Sequence, residues 1–396
     1  LTASILIALS ILILLSYVFD ITSSRTKIPS VLLLLALGWG TKELTLLFNI
    51  NIPNLNSLLP LFGTVGLILI VLEGTLELEI NKTKLPLLSK SFFAAVIPII
   101  IFSAIFAAVI YYLTGNDIKN CIVNAIPLSV ISSAIAIPSV RNLAEKTREF
   151  IIYESSISDI AGVSLFYFFV LNNTIDAGAL GIFFLQIIII TIISFLATSV
   201  LALLLSRLKQ HVKFVPIIFI IILIYAIAKD FHLPSLIFIM ILGLFLGNLK
   251  QLPSNRFIDF LKPEILDREV TKFKELTAEA TFLVRTIFFI LFGYEIKLSE
   301  VLSTDSIYLT MLALGIAFLI RALQLGISKM KIFPKIFIAP RGLINILLFI
   351  SIPASQKIGI VNNALMIQII LATSIIMTVG MMFSKKENSL LKNKEA

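Results

Sequence analysis

Thirteen mostly apolar stretches follow one another along the chain, at 1–19, 28–48, 58–76, 91–113, 120–140, 150–171, 180–205, 214–228, 233–249, 278–296, 306–326, 334–355 and 363–383. Most have the ~17–25 residues that an α-helix needs to cross a hydrocarbon layer ~30 Å thick. Inside that layer every backbone polar group must be satisfied by protein, and a helix does this within one segment. The expected fold class is therefore an all-α polytopic membrane protein with about 13 transmembrane helices. The stretch 214–228 is the shortest, and fusing or dropping it would give twelve spans. Composition excludes a soluble domain: 58% of residues are hydrophobic and 14% charged, against about 25% charged in soluble proteins.

The formal net charge of +9 invites a nucleic-acid reading, but the distribution of charge argues for another. Basic residues concentrate in every second loop: Arg25 and Lys27; Lys82, Lys84 and Lys90; Arg141, Lys146 and Arg148; Arg207, Lys209 and Lys213. The same set continues with the stretch from Lys250 to Lys274, with Lys329, Lys331 and Lys335, and with the end of the chain from Lys385. The alternate loops hold only Lys42, Lys119, Lys229, Lys297 and Lys357. Cytoplasmic loops carry such an excess, so the N-terminus is expected outside and the C-terminus in the cytoplasm. The basic face then meets anionic membrane lipid, and no nucleic-acid partner is expected. The charged, amphipathic stretch 251–276 suits a helix lying on the cytoplasmic surface. Leu1 in place of an initiator methionine reads as a chain trimmed or partial at its start.

Several chemistries lack raw material. The lone Cys121 excludes an intramolecular disulfide framework. His211 and His232 lie outside the apolar runs, which leaves nothing for a buried Ser-His-Asp triad or a histidine-rich metal site. No enzyme activity and no cofactor are expected.

Thirteen spans divide as six, one and six. The halves then have opposite orientation, the six-plus-six inverted repeat of many secondary transporters, which bind substrate between two discontinuous crossing helices. The fifth span contains Ser132-Ser133 and Pro138, and its counterpart, the twelfth, contains Pro340-Arg341-Gly342. Proline removes a helix hydrogen bond, and Pro138, Pro340, Arg341 and Gly342 are the expected breaks. A simple proline kink without an ion role is the bland alternative.

Polar groups inside the spans carry the chemistry. Asp159 falls near the centre of the sixth span, where an unpaired carboxylate costs at least ~2.5–3.5 kcal/mol and is by default functional. Ser155 is one turn away on the same face, so hydroxyl and carboxylate are expected to converge on a hard cation. A carboxylate holds either a cation such as Na+ or a proton, which is the chemistry of exchange in one group. Glu154 points to another face and is placed to pair with a buried arginine. A glutamate snorkelling to the interface is the alternative. Arg321, deep in the eleventh span, needs a carboxylate or backbone carbonyls.

These residues resemble the monovalent cation/proton antiporter superfamily, the sodium/hydrogen exchangers and their bacterial relatives, over nearly the whole chain. Glu154-Ser155-Ser156-Ile157-Ser158-Asp159 looks like the family's Glu-Ser-x-x-Asn-Asp motif. Phe288-Phe289-x-x-Phe292-Gly293, Arg321 and Arg341-Gly342 are further echoes. The resemblance implies scaffold and dimerisation helices at 1–78 and 213–297, core helices at 91–173 and 305–384, a linking helix at 180–206 and a cytoplasmic tail at 385–396. It implies a homodimer in a bacterial cell membrane, Asp159 as the ion-binding carboxylate, Ser155 as a helper ligand and a structural Glu154–Arg321 ion pair. Two departures stand out. Ser158 replaces the family asparagine or aspartate, and the Thr-Asp-Pro of many electroneutral exchangers is absent from the fifth span. Ser132 and Ser133, with Ser158, are the oxygens left to complete the ion/proton site.

The expected function is secondary antiport of protons against Na+, with K+ or Li+ as other candidates, by alternating access and without net charge movement. The rival is a cation-coupled symporter of a small organic solute on a similar fold. That would want Asn, Gln and Thr side chains in the broken spans, which 120–140 and 334–355 mostly lack.

Overall fold

The computed structural model describes residues 2–26, 28–48, 58–78, 83–140, 143–172, 176–208, 210, 212–231, 233–249 and 263–392. His211, His232, Lys27, Lys82, Arg141, Lys209, Lys250 and the first half of the expected surface helix (251–262) lie outside these residues. All thirteen apolar stretches are wholly or partly helical. The helices are α1 (Thr2–Thr26), α2 (Ser30–Leu47), α3 (Leu58–Leu76), α4 (Leu85–Thr114), α5 (Ile118–Ser129), α6 (Ser133–Ser139) and α7 (Glu145–Leu171). They continue with α8 (Ala177–Arg207), α9 (Phe214–Asp230), α10 (Leu236–Gly247), α11 (Pro263–Glu295), α12 (Thr304–Ile327), α13 (Leu343–Ile350) and α14 (Asn363–Lys392). Among the described residues, ten spans are long and apolar enough to cross a membrane, counting α5 and α6 as one. The shorter pieces are α9, α10 and the interrupted twelfth span.

Packing separates two groups of helices. In one, α11 lies against α2 and α3, and α10 lies against α3 and α8. In the other, α4 packs on α5, α7 and α12, and α12 packs on α14. Helix α3 belongs to the first group but also touches α6, α7 and α13 of the second. Its residues Leu67 to Leu72 are accordingly all buried, as expected of a helix covered all round. Within the first group, Arg285 of α11 reaches Asp20 of α1 at 3.3 Å.

One expectation needs correction. Residues 263–276 form no separate surface helix; they are the first turns of α11, which runs unbroken into the tenth span. Between Pro263 and Gly293 the sequence has neither glycine nor proline, so nothing stops the helix. Leu266, Val270 and Phe273, at helical spacing on these first turns, are buried in protein. Phe273 meets Phe214 of α9 at 6.1 Å between ring centroids, and Glu269 pairs with Lys213 at 2.6 Å. The chain from 385 continues α14 to Lys392.

Phe273 is fully buried, so Phe273→Ala is expected to cost about 3–5 kcal/mol, the usual penalty for a core phenylalanine. Thermal unfolding in detergent measures this. A loss below about 1 kcal/mol would instead fit a lipid-facing ring, since only a buried site leaves a cavity.

Candidate functional site

The fifth span is broken where α5 ends at Ser129 and α6 begins at Ser133, with Val130 and Ser132 in extended conformation. The twelfth is broken between a single turn of 3-10 helix (Lys335–Phe337) and the start of α13. The two gaps meet: the Ser132 N–H donates to the Pro340 carbonyl at 2.9 Å. Gly342 sits at this contact, and a Cβ there would come within 2.9 Å of Ser132 Oγ and 2.7 Å of Ile135 Cδ1. Only glycine allows so close an approach without displacement.

Unpaired carbonyls at such a break are costly in a water-poor interior, and neighbouring side chains satisfy them. The Arg341 guanidinium donates to the carbonyls of Leu128 (3.1 Å), Ser129 (3.5 Å) and Ala339 (2.7 Å). The first two close the C-terminal end of α5, where the helix dipole also favours a cation. Asn345 donates to the carbonyls of Pro127 (2.7 Å) and Val130 (2.9 Å), and its own carbonyl accepts from Gly342 N–H at 2.6 Å. Ser158 accepts the Ile131 N–H at 2.9 Å.

Asp159 lies beside this crossing and is 1% exposed. Its Oδ2 accepts the Ser133 hydroxyl and, at 3.3 Å, the Ser133 N–H. That N–H opens α6 and has no acceptor within its own helix. Among the described residues Asp159 Oδ1 and Ser132 Oγ have no hydrogen-bond partner, although both are buried. No cationic side chain pairs with Asp159 among the described residues. Buried polar atoms are nearly always bonded, so these two oxygens demand an explanation.

The other sequence-selected residues separate by direction. Ser155 does not turn to Asp159: its hydroxyl donates to the Ile151 carbonyl at 2.8 Å. This is the usual back-bond of a mid-helix serine, and it leaves the oxygen's lone pairs available. Ser158 serves the broken backbone. Glu154 forms a two-pronged contact with Arg321, at 2.9 Å and 3.1 Å. Arg321 also donates to the carbonyls of Lys335 and Ile338, both at 2.8 Å, so one guanidinium holds α7, α12 and the broken twelfth span together. Pro340, Arg341 and Gly342 lie in the gap, but Pro138 does not. It lies inside α6, and the break before it is held by Ser158 and Pro340, partners remote in sequence. Asn345 was not selected from sequence, although a lone amide five residues beyond Pro340 in an apolar run was the available signal.

The sequence profile described as "sodium/hydrogen exchanger, transmembrane" matches residues 9–385. The chain belongs to the sodium/hydrogen exchanger family. That makes it a multi-pass membrane transporter of the cation/proton antiport type. No curated protein sequence matches it. Among solved structures, the sodium proton antiporter MjNhaP1 from Methanocaldococcus jannaschii at pH 8 superposes with a TM-score of 0.71 at 18% identity, covering 94% of this chain and 98% of that one. An electron-microscopy structure of the same antiporter also gives 0.71 at 18% identity, covering 98% and 97%. At such identity the likeness speaks for the fold.

Arg321→Ala leaves Glu154 buried without its partner and is expected to cost about 3–5 kcal/mol. Arg321→Lys keeps the charge but not the fork that spans carboxylate and two carbonyls, and is expected to recover only part of that loss. Exchanging Glu154 and Arg321 would set a carboxylate against the Lys335 and Ile338 carbonyls, so little rescue is expected. Melting temperatures of the purified variants test all three. Full rescue by the exchange would mean that the carbonyl bonds contribute little.

Proposed function

We propose that this exchanger carries protons and a monovalent cation, Na+ foremost, in turn on Asp159, by alternating access and without net charge movement. The carrying observation is a fully buried carboxylate with no countercharge among the described residues and one unbonded oxygen, beside two interrupted spans. Proton and cation are the two partners that can neutralise it there. Asp159 supplies the charge. Ser133, Ser132 and the remaining lone pairs of Ser155 supply neutral oxygens, the ligand type that hard cations prefer. Ser158 acts indirectly, by holding the break open.

Electroneutrality follows from the charge count. The other carboxylate on this part of α7, Glu154, is paired with Arg321, which leaves one negative charge to be shared. A second uncompensated charge ~4 Å away would repel by about 4 kcal/mol at an effective dielectric constant of ~20. One site that takes either one proton or one cation exchanges them one for one.

The two packing groups support a core (91–173 and 305–384) moving against a scaffold (1–78 and 213–297), with 180–206 linking inverted halves. We assign the scaffold to a homodimer, because α1 leaves nearly all of its apolar surface uncovered within the chain. The charge bias supports an N-terminus outside and a C-terminus inside, in a bacterial cell membrane.

In everted vesicles, Asp159→Asn is expected to abolish cation-induced proton release, because the amide keeps the shape but neither titrates nor holds a cation by charge. Substantial exchange in that variant would refute the assignment. In proteoliposomes at fixed ion gradients, the rate is expected to be indifferent to an imposed membrane potential. A strong response would contradict one-for-one exchange.

A further inference from the structure

Helix α7 carries one continuous stripe at three- and four-residue spacing: Glu149, Ile152, Ser156, Asp159, Val163 and Tyr167. Such residues share a helix face. The first two line a cavity of about 380 Å³ with Glu77 and Leu78, which follow α3, and with Ile137 of α6. The last two line a cavity of about 670 Å³ toward the other end of α7. Neither cavity includes Asp159 in its walls. Something therefore closes the face on each side of the carboxylate.

On the side of Glu149 the closure is legible. Gly74, one turn before Leu78, is the point where α3 meets α6 and α7. A Cβ there would lie 3.0 Å from Ile137 Cδ1 and 3.5 Å from Ser156 Oγ. Ile137 is itself part of the cavity wall, so this contact lies directly behind the wall, and Asp159 follows one turn beyond Ser156 along α7. Ser156 is 2% exposed, and its hydroxyl has no hydrogen-bond partner among the described residues. Serines inside helices ordinarily bond back to the preceding turn, as Ser155 does beside it. Ser156 instead presents its oxygen to the bare backbone of Gly74 on α3, in the seam between the two helix groups.

We propose that Gly74, Ile137 and Ser156 form the cytoplasmic gate to Asp159, and that the Ser156 hydroxyl is a passing ligand for the dehydrating cation. The proposal rests on Asp159 as the exchange site and deepens that reading. Its chemistry needs only what is present. The hydroxyl offers two lone pairs to a hard cation, and glycine leaves the gate thin enough for Ile137 to swing aside. The closing contact is side-chain tip against bare backbone, so it can part without breaking a hydrogen bond.

The test combines transport and accessibility. Ser156→Ala is expected to raise the half-saturating cation concentration about three- to tenfold with the maximal rate kept, the scale of one lost hydrogen-bonding group. Gly74→Val places methyl groups where Ile137 closes the gate. Overpacking of this kind is expected to slow exchange about tenfold or more. In the same variant, a Ser156→Cys thiol should react faster with a membrane-impermeant maleimide added from the cytoplasmic side. The buried Cys121 of the unsubstituted chain serves as the blank. Slower exchange with faster labelling supports a gate propped open. Wild-type kinetics in both Ser156→Ala and Gly74→Val, or labelling of Ser156→Cys that Gly74→Val leaves unchanged or slows, overturns it. Labelling requires no transport, so a failure of the Na+/H+ assignment, read from the unsubstituted chain in vesicles, is seen separately.

Discussion

Two interrupted helices in a water-poor interior can persist only if their freed backbone groups find partners, and the architecture around Asp159 is organised by that requirement. Arg341 and Asn345 close the end of α5, Arg321 takes two carbonyls of the twelfth span, and Ser158 takes an amide of the fifth. The Arg341 and Asn345 bonds join the two broken spans, which lie far apart in sequence, while Arg321 and Ser158 reach in from the span next to each break. Through Arg341, Asn345 and the Ser132–Pro340 bond the break in the fifth span is stabilised by residues of the twelfth, and the two interruptions are one structural feature. Asp159 is tolerated beside it because the same break frees the Ser133 N–H that the carboxylate accepts.

Helix α7 shows how one turn and a half can serve five purposes. Successive residues project about 100° apart, and this part of α7 is buried in protein except at the half-buried Ile157. Glu154 therefore reaches Arg321 and Ser155 bonds its own helix, while Ser156 faces α3, Ser158 supports the fifth span and Asp159 meets Ser133. The polar cluster that reads as one motif in sequence is distributed in space over distinct neighbours. This is why Ser155, the obvious companion of Asp159 by spacing, turns elsewhere, whereas the hydroxyl beside Asp159 comes from a different span.

The contrast between closed breaks and open oxygens separates structure from function. The guanidinium groups of Arg321 and Arg341 and the Asn345 side chain are all engaged in holding backbone and partner helices. Among the described residues, Asp159 Oδ1 and Ser132 Oγ at the crossing and Ser156 Oγ in the seam beside it are left unbonded. Rigid capping keeps the first two where an ion can use them, while the third lies at a contact that must part for an ion to pass.

Much of this was legible in the residues. Helix number and the depth of Asp159 follow from the length of apolar runs, because the bilayer imposes that length directly. The need of Arg321 for a carboxylate follows from the cost of an unpaired charge, which sequence position alone reveals. Other features were decided only by tertiary structure. Proline was a poor guide to the fifth-span break, since Pro138 stays helical while Val130 to Ser132 are held extended by Ser158 and Pro340. The stripe Leu266-Val270-Phe273 has the same spacing whether it faces lipid or protein, and only packing within the bundle, with Phe214 against Phe273, makes it core. A hydroxyl's choice between its own helix and a distant partner depends on differences of about 1 kcal/mol, which spacing cannot resolve. Sequence by itself determined which groups must be buried in the membrane; the fold decided which of them meet, because partners at that depth come from whichever span is brought alongside.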